Sequence, residues 1–253
     1  MTRDDLFQLF TRLASGAVSP EQALYSFQTQ PVEELAQGVT LDTHRLARTG
    51  QGEVVYGPGK TIPQLKNCVQ GLADAGQPVL VTRLSAAKGE ALVEIFPDAV
   101  FHEHSGLLTL GFSLELDGPY PHSGECIVVT AGASDMGVAL EAYGTACFFG
   151  LNCGLVSDVG VAGVHRLTPH IENLSKAKVL IVVAGMDGAL PSVLAGLVPT
   201  PILGVPSTSG KDNMLGGVSS LMAMLNSCSP GVAAMNIDNG FGAAAFASKL
   251  CAK

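Results

Sequence analysis

Four short apolar runs in the second half of the chain constrain its fold more than any other feature, because each breaks off into a glycine-rich or polar loop. The runs cover residues 126–130, 179–183, 202–205 and 232–237. Continuous apolar runs that alternate with helical stretches are typical of strands buried on both faces of a parallel sheet. The sequence therefore predicts a doubly wound α/β fold, with helices on both faces of the sheet.

The loops after these runs are the predicted functional site. They cover residues 131–135, 184–188, 206–210 and 238–240. In a doubly wound sheet the loops that follow the strands gather along one edge, where ligands bind. We therefore expect the four loops to build one pocket, with the segment 158–166 after another strand nearby.

The first half of the chain predicts a smaller α/β unit. Two short amphipathic helices open it, and the second is capped by Ser19 and Gln22. The pattern then favours helices over residues 63–75 and 86–96 and strands over 78–82, 99–102 and 107–111. The Pro- and Gly-rich segment 117–124 is the best linker candidate. We expect an N-terminal helical and small α/β domain over residues 1–122. A flavodoxin-like, nucleotide-binding catalytic domain should follow over residues 123–253.

Composition excludes several classes of function. The net charge of −8, without a basic run, argues against nucleic-acid binding. The chain has no apolar stretch of membrane-spanning length and no signal-peptide pattern at its N-terminus, so we expect no membrane association. Six scattered cysteines without a C-x-x-C pair indicate neither a disulfide framework nor a zinc site. This usage is typical of a cytoplasmic protein with reduced thiols.

The sequence Gly59-Lys60-Thr61 resembles the end of a phosphate-binding loop. The first glycine of that motif would fall at position 53 or 54, where the chain has Glu and Val. A β-turn is the better interpretation, although Lys60 remains able to reach a ligand.

Ser134 and Asp135 follow one predicted strand and open a helix. Ser134 either caps that helix or helps its N-terminus to bind a phosphate. Asp135 is placed to accept hydrogen bonds from ribose hydroxyls. Asp187 follows the most apolar strand and has two possible roles, as an anion at a helix N-terminus or as a base acting on a ligand.

A phosphorylated ligand in so acidic a chain needs local cations, and Arg166 and Lys211 lie in the predicted site loops. His165 is either a proton carrier or a hydrogen-bonded loop residue. The candidates for contacting substrate are Gly132, Ser134, Asp135, Asp158, Arg166, Gly185, Met186, Gly188, Ser207, Thr208, Lys211 and Asn239.

Cys228 is the least expected residue of the chain. Polar, turn-forming neighbours flank it between a helix and the last strand, so we expect an exposed thiol, whereas other cysteines lie in apolar helical or strand patterns. A helix C-terminus disfavours a thiolate, and a nucleophilic Cys228 would need a nearby cation. A positively charged substrate ring would supply one.

Taken in order, the loops resemble the PurE family of aminoimidazole ribonucleotide carboxylases. The matching residues are Ser134-Asp135, 165–169, 184–191, 201–206 and 217–221. A closer resemblance covers nearly the whole chain: the LarB family of pyridinium-3,5-biscarboxylic acid mononucleotide synthases. The motifs are 158–166, Met186 followed by an acid, Leu225-Asn-Ser-Cys228 and 236–242, with Leu41-Asp-x-x-Arg45 and Gly59-Lys60-Thr61 in the first half. PurE proteins lack both that first half and the Asn-Ser-Cys segment.

The LarB resemblance implies the first step of nickel-pincer nucleotide synthesis. Nicotinic acid adenine dinucleotide is carboxylated on its pyridinium ring with CO2 or bicarbonate as co-substrate, and its phosphoanhydride is hydrolysed to release AMP. Cys228 would add to the ring to form a transient cysteinyl-pyridine adduct. Asp187 would be the acid/base group, at a position where the family usually has Glu. Ser134, Asp135, His165 and Arg166 match PurE positions for phosphate, ribose and proton transfer.

The resemblance also implies a large homo-oligomer, an octamer, and leaves Mg²⁺ plausible for the hydrolytic half, although no carboxylate cluster marks a metal site. Two alternatives stay open. One is a PurE-type carboxylase or mutase acting on aminoimidazole ribonucleotide, which is already an enamine and needs no thiol. The other is a nucleotide-sensing module without catalysis.

Overall fold

The computed structural model describes residues 3–29, 33–35, 39–42, 45–209 and 215–252. Within these residues the first half has five helices: α1 (Arg3–Ala14), α2 (Pro20–Thr29), α3 (Arg45–Thr49), α4 (Ile62–Asp74) and α5 (Ala86–Ile95). Its described strands are β1 (Glu33–Leu35), β2 (Val39–Leu41), β3 (Val55–Tyr56), β4 (Val79–Thr82), β5 (Val100–His102) and β6 (Leu107–Leu110). The predicted capping pair of α2 is confirmed, since the Gln22 amide donates to Ser19 Oγ over 3.1 Å.

The first half is built around a four-stranded sheet of order β3-β4-β6-β5. Only the β3–β4 pair is parallel, and β1 and β2 form a separate antiparallel pair. The helices and strands predicted between residues 62 and 111 are confirmed to within a residue at each end, whereas the run predicted as a strand over residues 232–237 is a strand only over Val232–Ala234. The predicted turn before Lys60 is also confirmed, because its amide donates to the Gly57 carbonyl over 3.4 Å. The short elements β1, β2, α3 and β3 had no counterpart in the prediction.

The second half is the predicted parallel sheet. Its elements are β7 (Cys126–Thr130), α6 (Met136–Phe148), β8 (Cys153–Val156), α7 (Ile171–Lys176), β9 (Val179–Ala184), α8 (Leu190–Ala195), β10 (Ile202–Pro206), α9 (Val218–Leu225), β11 (Val232–Ala234) and α10 (Gly240–Cys251). The five strands are all parallel, in the order β11-β10-β9-β7-β8. Every residue of β7 to β10 is buried, because helices cover both faces. This is the flavodoxin-like strand order, and it confirms the predicted fold class.

The two sheets do not stand apart. Leu80 and Leu107 from the first half pack into the same apolar core as α6 and α10. Gly144 in α6 makes this contact possible, because a Cβ at that position would lie 2.5 Å from Leu107. The segment 117–124 contains no helix or strand, and its Pro121 carbonyl accepts a hydrogen bond of 2.8 Å from Leu155. The predicted domain boundary falls within this packed segment.

Within the part of the chain that the structure describes, no helix is both long and apolar enough to span a membrane.

Candidate functional site

A cavity of about 520 Å³, which we call the strand-end pocket, lies at the carboxyl edge of the parallel sheet. Residues from the segments 131–135, 160–166 and 185–187 line it, together with Ser209 and Ser219. Three of the four predicted loops therefore meet as expected. The prediction is wrong for the fourth loop, 238–240, whose Asp238 lines a neighbouring cavity. That loop follows the edge strand β11, and contacts with the first half of the chain hold it there.

Asp135 joins two of the pocket loops. Its carboxylate accepts a 2.9 Å hydrogen bond from the Gly132 amide and another from the Ser209 hydroxyl, and only 3% of the residue is exposed. Ser134 does not cap α6 with its side chain, because it lies inside the 3-10 turn that precedes the helix. This corrects the capping interpretation of Ser134. Its exposed side chain instead lines the pocket, whereas Asp135 organises the loops behind it.

Gly185 and Gly188 allow the loop after β9 to pack against its neighbours. A Cβ at Gly185 would lie 2.8 Å from the Ser209 carbonyl oxygen. Gly188 has φ +61°, and a Cβ there would lie 2.7 Å from the Ser220 carbonyl oxygen. Between them Met186 also has positive φ and is 72% exposed at the pocket. Gly185 therefore lines the pocket without a side chain, whereas Gly188, a predicted substrate contact, is required by the backbone and is not among the lining residues.

Asp187 is exposed and lines the strand-end pocket. Its Oδ1 accepts a long hydrogen bond of 3.4 Å from the Ala189 amide, just before α8 begins at Leu190. The structure thus places this carboxylate beside a helix start and in the pocket at once. Both roles predicted for Asp187 are compatible with that position.

Arg166 lines the pocket and forms an ion pair with Asp158, whose own side chain is not among the lining residues. The Asp158 amide donates to Thr130 Oγ1 over 2.9 Å, which fixes this loop to the end of β7. His165 is exposed and does not line the pocket. Lys211, the other predicted cation, lies outside the described residues.

Three further residues that were predicted to contact substrate instead hold loops in place. Ser207 is fully buried and its hydroxyl bonds that of Ser209. Thr208 bonds the Asp238 carboxylate through both its amide (2.8 Å) and its hydroxyl (2.6 Å). Asn239 accepts a 3.0 Å hydrogen bond from Gly242 and caps α10.

Cys228 is exposed, as predicted, but it is remote from the strand-end pocket of its own chain. The pocket lies where β9 and β10 end, whereas Cys228 follows α9 and precedes β11, whose start is fixed by the bond from the Ile202 amide to the Gly231 carbonyl. The eight residues of α9 carry the chain about 12 Å from one edge of the sheet to the other. The thiol therefore lies toward the opposite edge.

The other cysteines are poor nucleophiles. Burial raises the pKa of Cys68 and Cys251, and it raises the pKa of Cys147 to about 11. The pKa of Cys153 is also raised, first by its hydrogen bond with Cys126 and then by burial.

A second cavity of about 630 Å³, which we call the inter-domain cavity, lies between the two halves of the chain. Arg83, directly after β4, donates to Glu141 over 3.3 Å and also to the Asp238 carbonyl. Burial raises the pKa of Glu141, while Arg83 and the backbone amides of Phe241 and Gly240 oppose that rise. The lone carboxylate of Glu141 in the otherwise apolar α6 was a sequence signal for this contact.

Sequence reasoning also missed Ser209, Ser219, Val161 and Ala162 as pocket-lining residues, although Ser209 belongs to a predicted loop. Lys60, which the sequence left able to reach a ligand, donates a hydrogen bond to the Tyr56 carbonyl over 3.1 Å. Among the described residues, no group of three or more His, Cys, Asp or Glu side chains is arranged to hold a metal ion.

Comparisons with known proteins agree with this architecture. Residues 32–111 match the family described as "LarB/PurE-like N-terminal domain", and residues 125–253 match "AIR carboxylase". An uncharacterized protein of Methanocaldococcus jannaschii is 34% identical over 97% of this chain and 96% of its own length. The N5-carboxyaminoimidazole ribonucleotide mutase of the same organism is 33% identical, over 50% of this chain and 78% of its own length.

Proposed function

Because the chain belongs to the LarB family and is a carboxylase-type enzyme, we propose that it converts nicotinic acid adenine dinucleotide, CO2 and water to pyridinium-3,5-biscarboxylic acid mononucleotide and AMP. One observation carries the choice of substrate. The chain joins a LarB-type N-terminal domain to the carboxylase domain, whereas the similar mutase aligns with only half of the chain. This reaction is the first step of nickel-pincer nucleotide synthesis.

The chemistry requires a nucleophile because a pyridinium ring is electron-poor and does not attack CO2. Addition of the Cys228 thiolate to the ring carbon para to nitrogen forms a C–S bond and gives a dihydropyridine. The enamine carbon of that ring then attacks CO2 and forms the new C–C bond. A base removes the proton from the same carbon, the C–S bond breaks, and the thiolate leaves as aromaticity returns.

Two residues of the strand-end pocket suit the remaining steps. Asp187 is exposed at the pocket and is our candidate for the base that removes the ring proton. Arg166 lines the same pocket and retains donors beyond its ion pair with Asp158, so it is the candidate for binding the phosphate. Hydrolysis of the phosphoanhydride adds water across the P–O–P bridge and gives the mononucleotide and AMP; a Mg²⁺ ion would neutralise phosphate charge in this step.

The position of Cys228 supports a reaction shared between two subunits. Since the thiol lies away from the strand-end pocket of its own chain, we propose that it enters the pocket of a neighbouring copy in a homo-octamer. An exposed apolar face supports this contact: Val218, Met222 and Leu225 lie along one side of α9, directly before the Cys228 turn. These side chains recur every three to four residues, as on one face of a helix that packs against another surface.

The test is incubation of the protein with ¹³C-bicarbonate and either nicotinic acid adenine dinucleotide or aminoimidazole ribonucleotide. We expect a ¹³C-labelled dicarboxylated mononucleotide and AMP when the dinucleotide is the substrate, and no labelled product from aminoimidazole ribonucleotide. Label in an imidazole product instead would support a PurE-type activity, and tight dinucleotide binding without AMP release would support a sensing module. Either result contradicts the proposal.

A second experiment tests the shared site. Cys228→Ser and Asp187→Asn are each expected to be inactive, because the first removes the nucleophile and the second removes the base. Co-expressed in equal amounts, they should regain about one quarter of wild-type activity, since random mixing joins an intact thiol to an intact carboxylate in one site of four. A mixed oligomer without activity would show that both groups act within one chain.

A further inference from the structure

The inter-domain cavity adjoins the strand-end pocket. Ser134 and Ser209 line both. A ligand with two halves joined by a short linker can therefore occupy both cavities and cross between them at these two hydroxyl-bearing residues. With about 520 and 630 Å³, each cavity lies within the size range of sites for small molecules.

The walls of the inter-domain cavity come from both halves of the chain. The first half supplies Arg83 to Ser85 and the turn 103–106, whereas α6 and Asp238 belong to the second half. Gly137 lets the two halves meet, because a Cβ there would lie 3.0 Å from the His104 carbonyl oxygen. Arg83 joins the halves through Glu141 and the Asp238 carbonyl. These contacts hold the two halves together around the cavity.

The exposed side chains in this cavity suit a nucleoside. Among the described residues, the Glu103 carboxylate and the His104 imidazole have no hydrogen-bond or ion-pair partner, and both are exposed in the cavity. A carboxylate accepts strong hydrogen bonds from ribose hydroxyls, and an aromatic ring stacks on the face of a purine.

We propose that the inter-domain cavity binds the adenylate half of the dinucleotide, while the pyridinium half lies in the strand-end pocket beside Asp187. The identity of the dinucleotide rests on the proposed function. The assignment gives the first half of the chain a role in substrate selection. It also agrees with the mutase comparison, since an enzyme named for a single ribonucleotide aligns with only half of this chain.

The test is calorimetric titration of the full-length oligomer with AMP and, separately, with nicotinic acid mononucleotide. Ser85→Trp places an indole ring at the wall of the inter-domain cavity and obstructs it, and Ser85→Ala is the matched control that leaves it open. We expect Ser85→Trp to weaken AMP binding at least about tenfold and to leave mononucleotide binding unchanged, with Ser85→Ala like the wild type. Photolabelling of the wild type with 8-azido-AMP should mark peptides that contain residues 83–85 or 103–106.

Two outcomes would overturn the inference: equal AMP affinity in Ser85→Trp and wild type, or photolabel confined to peptides outside both segments and outside α6. Photolabelling decides the matter if Ser85→Trp does not fold. The proposed function fails separately. If ¹³C-bicarbonate is not incorporated while AMP binds and labels as expected, the reaction is wrong and the nucleotide cavity stands. If carboxylation proceeds while AMP binds elsewhere, the cavity assignment alone is wrong.

Discussion

Replacement of Asp135 tests whether its buried carboxylate organises the pocket loops. The Asp135→Ala change removes the hydrogen bonds from the Gly132 amide and from the Ser209 hydroxyl. Hydrogen bonds to a charged group contribute about 1.5–3 kcal/mol each. Part of this loss is offset, because the variant no longer has to bury a carboxylate that has no cation beside it. We therefore expect a net destabilisation of about 2–4 kcal/mol.

Asp135→Asn is the matched control. Its amide oxygen can accept from Gly132, and its NH2 group can donate to Ser209 Oγ, whose proton then turns toward Ser207. The expected cost is below about 1 kcal/mol. The assay is thermal unfolding followed by circular dichroism at a fixed protomer concentration. For a chain of this length we expect Asp135→Ala to melt about 5–15 °C lower and Asp135→Asn within about 4 °C of wild type. Equal melting temperatures for the two variants would refute the reasoning.

Three further predictions follow from the structure. At pH 8 an aromatic disulfide reagent should label one thiol per chain rapidly, because Cys228 is exposed. Raised pKa values protect the thiols of Cys68, Cys147, Cys153 and Cys251. A rapid labelling phase that persists in Cys228→Ser would contradict this prediction. Gly188→Ala should lower the free energy of unfolding by about 2 kcal/mol or more, because its φ is positive and the Ser220 carbonyl lies close. Gly59→Ala also has positive φ but open space around it, and should lower the free energy of unfolding by about 1 kcal/mol. Equal shifts in melting temperature would show that the close contact at Gly188 does not matter. Burial lowers the pKa of His102 below its ordinary 6.5, so as pH falls the unfolded chain takes up a proton at this histidine before the folded chain does. The free energy of unfolding should therefore decline below about pH 6.5, and it should decline less in His102→Gln. Parallel pH profiles of stability in the two proteins would exclude His102 as the cause.

The parallel sheet could be predicted from sequence because its strands are buried on both faces. Residues 126–130 and 179–183 are uninterrupted apolar runs, and they become β7 and most of β9. The short elements β1 to β3 and α3 could not be predicted in the same way. Their sequence is polar and broken by glycine, and they contain only two to five residues each. Tertiary contacts, not local preference, decide such elements.

The candidate site was only partly predictable, for two separate reasons. The loop at Asp238 leaves the strand-end pocket because Arg83, distant in sequence by 155 residues, bonds its carbonyl. No local pattern reveals such a contact. The position of Cys228, in contrast, was available from topology, since a segment that precedes a strand lies at the edge opposite to the loops that follow strands.

Peptide mass spectrometry of the wild-type protein, incubated with nicotinic acid adenine dinucleotide in the absence of bicarbonate and then rapidly quenched, shows directly whether Cys228 adds to the pyridinium ring. We predict a pyridine nucleotide adduct on the peptide that contains Cys228, and no adduct in Cys228→Ser. The absence of an adduct from every wild-type peptide, or an equal amount of adduct in Cys228→Ser, would contradict the claim that this thiol activates the ring.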